Sequence, residues 1–187
     1  MKKIAFLAIA ASAAIASPAM AQNVTGTITL NGNVAAKCSV TSGTPGATFA
    51  QTVNFGELAQ SNGTLRTGLA TDFSLTPVQA TVVCNTGTPK ISVDANPLAT
   101  GATITTGYAN TINYTATVAV ATSPSGTVST SNATTSAPGA LTAIGAPLAN
   151  TANNVVVTTS GYNTPGATDI LVAGVYTGNI IIVISPT

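Results

Sequence analysis

The chain has no histidine and no tryptophan, and among its 187 residues Lys and Arg total 5 while Asp and Glu total 4. Without imidazole it lacks the side chain that most often exchanges protons near neutral pH and most often binds transition metals. After residue 21 the carboxylates Glu57, Asp72, Asp94 and Asp169 are scattered, and Lys37 and Lys90 stand in no catalytic motif. No catalytic residue, cofactor or metal ligand is nominated, and the chain reads as a non-enzyme. Asp94, Asn96 and Asp169 offer oxygen atoms without calcium-loop spacing. So few cations, with Gly43, Gly46 and Gly56 outside any phosphate-loop spacing, exclude nucleic acid as an expected partner. Aromatics are also scarce, with four Phe and four Tyr. Tyr108, Tyr114 and Tyr162 could stack on a sugar, but half-buried packing is the expected role of tyrosine in strands.

What remains is apolar and small. Hydrophobic residues make up 45 % of the chain, too many for a disordered segment. Lys2 and Lys3 precede the apolar run Ile4 to Ile15, and Ala19-Met20-Ala21 supplies the small residues of a cleavage box before Gln22. The run is shorter than the roughly 20 residues that a bilayer core requires, so residues 1–21 are expected to be a secretory signal peptide. The mature chain is then exported, with no further segment that suggests a membrane span. Cys38 and Cys84 are the only cysteines. In an oxidising compartment such a pair, with no histidine to complete a metal site, is expected to form a disulfide.

Beyond residue 21, short β-branched runs alternate with Gly, Pro, Asn and Ser, the pattern of an all-β sandwich or barrel. The expected strands are Val24 to Leu30, Val34 to Val40, Gln51 to Phe55, Val78 to Cys84, Lys90 to Asp94, Thr111 to Val120, Asn154 to Thr158 and Val175 to Ile184. Residues 121–147, rich in turn formers and small hydroxyl residues, are expected to be a long surface excursion within one domain.

The two ends of the mature chain complement each other. Tyr176, Gly178, Ile180, Ile182 and Ile184 share one face of the C-terminal strand, and Ile181 and Val183 make the other face apolar too, so the strand expects burial on both sides or a flanking partner. An immunoglobulin-like sandwich needs one more strand after it; the chain stops at Ser185-Pro186-Thr187. In residues 22–30, Val24, Gly26, Ile28 and Leu30 alternate with Thr25, Thr27 and Thr29, giving one face for a groove and one for solvent. Asn31-Gly32-Asn33 then separates this strand from the segment carrying Cys38. An ordinary first strand pairing inside its own domain is the competing reading.

Gly26-Thr27-Ile28-Thr29-Leu30-Asn31-Gly32-Asn33-Val34 running into Cys38-Ser39-Val40 resembles the N-terminal extension and first strand of type 1 fimbrial major subunits. Val53-Asn54-Phe55-Gly56, Val82-Val83-Cys84-Asn85-Thr86-Gly87 with Ile91-Ser92-Val93, and Ala173-Gly174-Val175-Tyr176-Thr177-Gly178 resemble the spore coat protein U-like branch of secreted pilins. Pro186 departs from the aromatic residue that usually stands next to last in that family. The resemblance to chaperone–usher pilus subunits implies an incomplete immunoglobulin-like β-sandwich lacking its last strand, completed by a donor strand from a neighbouring subunit. The implied layout is a signal peptide over 1–21, a donor-strand extension over 22–32 and a pilin domain over 33–187. The implied partners are identical subunits in a homopolymer, a periplasmic pilus chaperone and an outer-membrane usher. The implied location is a cell-surface pilus that serves attachment and biofilm formation. The alternative is a secreted monomeric immunoglobulin-like module that binds glycans.

Overall fold

The structure, a computed structural model, describes residues 26–41 and 49–187. The expected signal peptide and Val24 lie outside the described residues. The chain divides into a unit ending at Val34 and a body over Ala35–Thr187. In the first unit, residues 26–34 carry no regular secondary structure, and Ile28 and Leu30 are 87 % and 89 % exposed. The alternation predicts a strand here. A strand also needs a ladder partner for its N–H and C=O groups, and that a sequence pattern cannot supply.

The body contains β1 (Cys38–Val40), α1 (Leu69–Leu75), β2 (Val78–Ala80), β3 (Val82–Cys84), β4 (Lys90–Ala99), β5 (Tyr108–Ala109), β6 (Thr111–Thr122), β7 (Gly126–Ala133), β8 (Thr142–Ala143), β9 (Val155–Asn163), β10 (Ile170–Leu171) and β11 (Thr177–Ser185). Among the described residues it is an all-β fold of mainly antiparallel strands with one short helix. β6 is its axis. Its first two residues pair with β4, and the rest runs between β7 and β9, with β2 beyond β9. On its other edge β4 pairs along its length with β11, while β1 pairs with β3 in a small separate ladder.

The core follows from period-2 alternation. Along β6, Tyr114, Ala116, Val118 and Val120 point inward, and they meet Ile91, Val93 and Ala95 of β4 and Val155 and Val157 of β9. Two buried asparagines complete the backbone hydrogen bonding where the ladders separate. Asn154 accepts from Val82 N–H (2.8 Å) and donates to Val82 O and Ala149 O (2.7 Å each). Asn132 on β7 accepts from Ala95 N–H (3.0 Å) and donates to Ala137 O (2.8 Å).

Several expected elements differ. Val78 to Cys84 is not one strand: β2 pairs with β9 and β3 with β1, so the chain changes ladders at Thr81. Gln51 to Phe55 contains no strand, and the strand expected over Val34 to Val40 is only β1. Residues 121–147 are not a surface excursion throughout. β7 is a full partner of β6, and Ile144 is buried. Its residues Thr127, Ser129, Thr130 and Ser131 carry too little hydrophobic contrast for a strand pattern. The helix α1 buries only Leu69 and Phe73, and two positions cannot establish a helical period.

Cys38 and Cys84 form the expected disulfide, joining directly opposed residues of β1 and β3. Asn85 reinforces the junction: its Oδ1 accepts from Lys37 N–H at 2.7 Å and its Nδ2 donates to Ala35 O at 2.8 Å. By loop-closure entropy, a bridge across a separation of 46 residues stabilises the fold by about 4 kcal/mol. Reduction, or Cys38→Ala, is therefore expected to lower the denaturation midpoint sharply. Chemical denaturation with and without reductant checks this, and coincident curves would contradict a structural role.

Candidate functional site

The body carries a groove between β11 and the opposite wall formed by β1 and residues 49–59. Among the described residues β11 pairs only with β4 and β1 only with β3, so each turns an unpaired edge toward this space. Three clefts of about 710, 360 and 430 Å³ follow one another along β11. The first and second share Val53, Phe55 and Gly178, and the second and third share Phe49, Ile180 and Ile182. One continuous trough results. Residues 52–59 face the start of β11 and Cys38 to Val40 face its end, so the opposite wall runs antiparallel to β11.

The structure brings four sequence-predicted residues to this trough. Tyr176 lines the first cleft, Ile180 and Ile182 the second, and Ile182 and Ile184 the third. The three isoleucines pack against the core while remaining only partly buried. Ile181 and Val183, on the other face, stay 47 % and 45 % exposed, so burial of both faces is not reached. Tyr176 precedes β11, and its hydroxyl lies 3.0 Å from both Ala109 O and Val172 O, between which its one proton is shared. Gly26, Ile28 and Leu30 lie in the other unit.

Sequence reading missed the floor. Phe55, Phe73, Tyr114 and Tyr162 form an aromatic cluster, with Tyr114 stacked on Tyr162 at 5.4 Å and Phe55 edge-on to Tyr162 at 5.8 Å. Tyr114 is 5 % exposed and Tyr162 donates to Thr159 Oγ1 at 2.8 Å, so both have the expected packing role. Tyr108 is 44 % exposed. The Tyr114 hydroxyl donates to Asn96 O (2.8 Å), with Asn179 O at 3.2 Å. It thereby serves carbonyls beside the bulge where the β11–β4 register shifts between Thr177 and Asn179. Gly178 is required at that bulge, because a Cβ there would come within 2.6 Å of Pro97 O. Arg66 ties the wall to the helix: it donates to Phe55 O at 2.8 Å and to Glu57 O, and pairs with Asp72.

No family model, curated protein or solved structure matches the chain. Among the described residues no three acidic or cysteine side chains converge as metal ligands, and no helix is long and apolar enough to cross a membrane.

The floor has a pH consequence. Burial raises the Tyr114 hydroxyl well above its ordinary value of 10.0, with the nearby Tyr162 and Asp94 adding to the effect. Burial also raises Tyr162 and Tyr176, each partly offset by a hydrogen bond. A group whose pKa is raised by folding contributes stability below its unfolded value and loses it as pH climbs toward the folded value. Thermal stability is thus expected to fall as pH rises above about 10. Melting curves from neutral to strongly alkaline pH check this, and Tyr114→Phe should flatten the decline.

Proposed function

We propose that this chain is a structural subunit of an extracellular pilus of the chaperone–usher type, polymerised by donor-strand exchange. The type 1 fimbrial and spore coat protein U-like resemblance belongs to the same proposal. In this reading the body is an incomplete immunoglobulin-like sandwich. Its groove takes the segment around Val24, Gly26, Ile28 and Leu30 from the next copy, after a periplasmic chaperone has held it and an outer-membrane usher has received it. The filament then stands on the cell surface and serves attachment and biofilm formation.

The observation that carries the reading is an apolar trough along β11, with the outer edge of β11 on one side and that of the short strand β1 on the other, both unpaired among the described residues. An added strand gains ladder hydrogen bonds from those edges, while its alternate side chains enter pockets. Its period of two matches that of Ile180, Ile182 and Ile184. Burying Ile28 and Leu30 contributes about 1.5–3 kcal/mol each before ordering costs. A segment of one copy entering the groove of another makes a head-to-tail contact that need not close, and such contacts build filaments.

The test is capture of a synthetic peptide spanning Asn23 to Asn31 by a chain lacking residues 22–31, beside electrophoresis of the intact protein without boiling. Saturable capture, and a ladder that collapses to one band on boiling, are expected. A soluble monomer that captures no peptide would overturn the proposal and favour the glycan-binding module.

A further inference from the structure

The sequence contains two Asn-Gly pairs, Asn31-Gly32 and Asn62-Gly63, and the structure places them in opposite environments. Glycine has no Cβ to shield its amide nitrogen, so that nitrogen can attack the side-chain carbonyl of a preceding asparagine wherever the backbone is free to rotate.

At the second pair it is not free. Asn62 Oδ1 accepts from Thr64 N–H at 3.1 Å and from Thr64 Oγ1 at 2.8 Å. Gly63 N–H donates to Gln60 O at 2.8 Å, with φ held at +83° and Ile170 against the position a Cβ would take. Swinging Gly63 N onto Asn62 Cγ would break this turn. At the first pair, among the described residues, nothing comparable holds the chain. Asn31 and Gly32 are exposed, carry no regular secondary structure, and Gly32 has open space where a Cβ would stand. Asn33, in the same segment, is followed by Val34, whose branched side chain shields the next nitrogen.

We infer that Asn31 is a self-modifying site at which the chain forms a succinimide without an enzyme or cofactor. Gly32 N loses its proton and bonds to Asn31 Cγ, the Cγ–Nδ2 bond breaks, and ammonia leaves. Water then adds to either ring carbonyl, which leaves an aspartate or an isoaspartate at position 31. Both products add a carboxylate directly after Leu30, and the isoaspartate also lengthens the backbone by one methylene. The consequence for assembly rests on the pilus reading: an aged free subunit carries a charge and a register error next to its donor segment. The chemistry itself does not depend on that reading.

The experiment incubates the purified chain at mildly alkaline pH, reduces it, cleaves after Lys and Arg, and follows two fragments by mass. Fragmentation in the mass spectrometer separates Asn31 from Asn23 and Asn33 in the fragment ending at Lys37, and Asn62 from Asn54 in the fragment from Cys38 to Arg66. Asn31 is expected to convert at least about tenfold faster than Asn62, and Gly32→Ala to slow only Asn31 by about tenfold, because the added Cβ crowds the attacking nitrogen. Equal rates, faster conversion at Asn62, or no conversion at Asn31 would overturn the inference. Repeating the incubation on filaments separates it from the assembly reading. Clamped donor strands should protect Asn31, whereas conversion in filaments at the monomer rate counts against donor-strand insertion and leaves the chemical inference standing.

Discussion

Ile28→Asp is expected to leave the body folded and to abolish polymers. Ile28 is 87 % exposed in the isolated chain, so the change removes no core contact and creates no cavity. In an assembled filament the same position would enter an apolar trough. There the substitution loses about 1.5–3 kcal/mol of apolar burial and adds the desolvation of a carboxylate, several kcal/mol more. Capture by an acceptor chain should weaken by about a thousandfold or beyond, since each 1.4 kcal/mol is tenfold. Thr27→Asp, one residue away on the hydroxyl face, should cost little. Peptide titration of both variants, with filament counts by negative-stain microscopy, reads the difference. Equal effects at positions 27 and 28 would mean that the segment does not enter as an alternating strand.

Asn154→Ala is expected to produce a large loss of stability. Asn154 is 2 % exposed and satisfies both the N–H and the C=O of Val82, together with Ala149 O. Alanine leaves these groups buried without partners at about 1–3 kcal/mol each, so a total loss of about 3 kcal/mol or more is expected. For a protein of this size that corresponds to a fall in Tm of roughly 6–12 °C. Asn150→Ala, at an exposed position nearby, should stay within about 0.5 kcal/mol. Thermal melts of the two variants side by side make the comparison, and a small effect at Asn154 would show that water or backbone rearrangement replaces its bonds.

These two predictions draw on different sources. The alternation that selects Ile28 over Thr27 is local, a matter of period two, and it stands in the amino-acid order. Nothing local distinguishes Asn154 from Asn153 or Asn150. Asn154 matters because the chain changes ladders at Thr81 and leaves the Val82 backbone facing it, which is a property of strands distant in sequence.

The same division holds across the molecule. The all-β class and the Cys38–Cys84 bridge were legible from the sequence, and so was the shared face of Ile180, Ile182 and Ile184, because each depends on side-chain chemistry repeating along a few residues or on a lone pair of thiols; which face of that strand turns inward was not, because Ile181 and Val183 make both faces apolar. β7 and α1 were not, the one because its hydroxyl side chains show little contrast between faces, the other because two buried positions make no period. The aromatic floor was illegible for another reason: Phe55, Phe73, Tyr114 and Tyr162 belong to a wall, a helix and two strands, and only the packing of β9 against β6 and α1 brings them together. Residue order alone settles which strongly apolar segments seek burial and which positions along them share a face. That β11 and β1 leave their outer edges unpaired among the described residues, across one trough, emerges from the folded chain, because the pairing of edges depends on contacts between residues far apart in sequence.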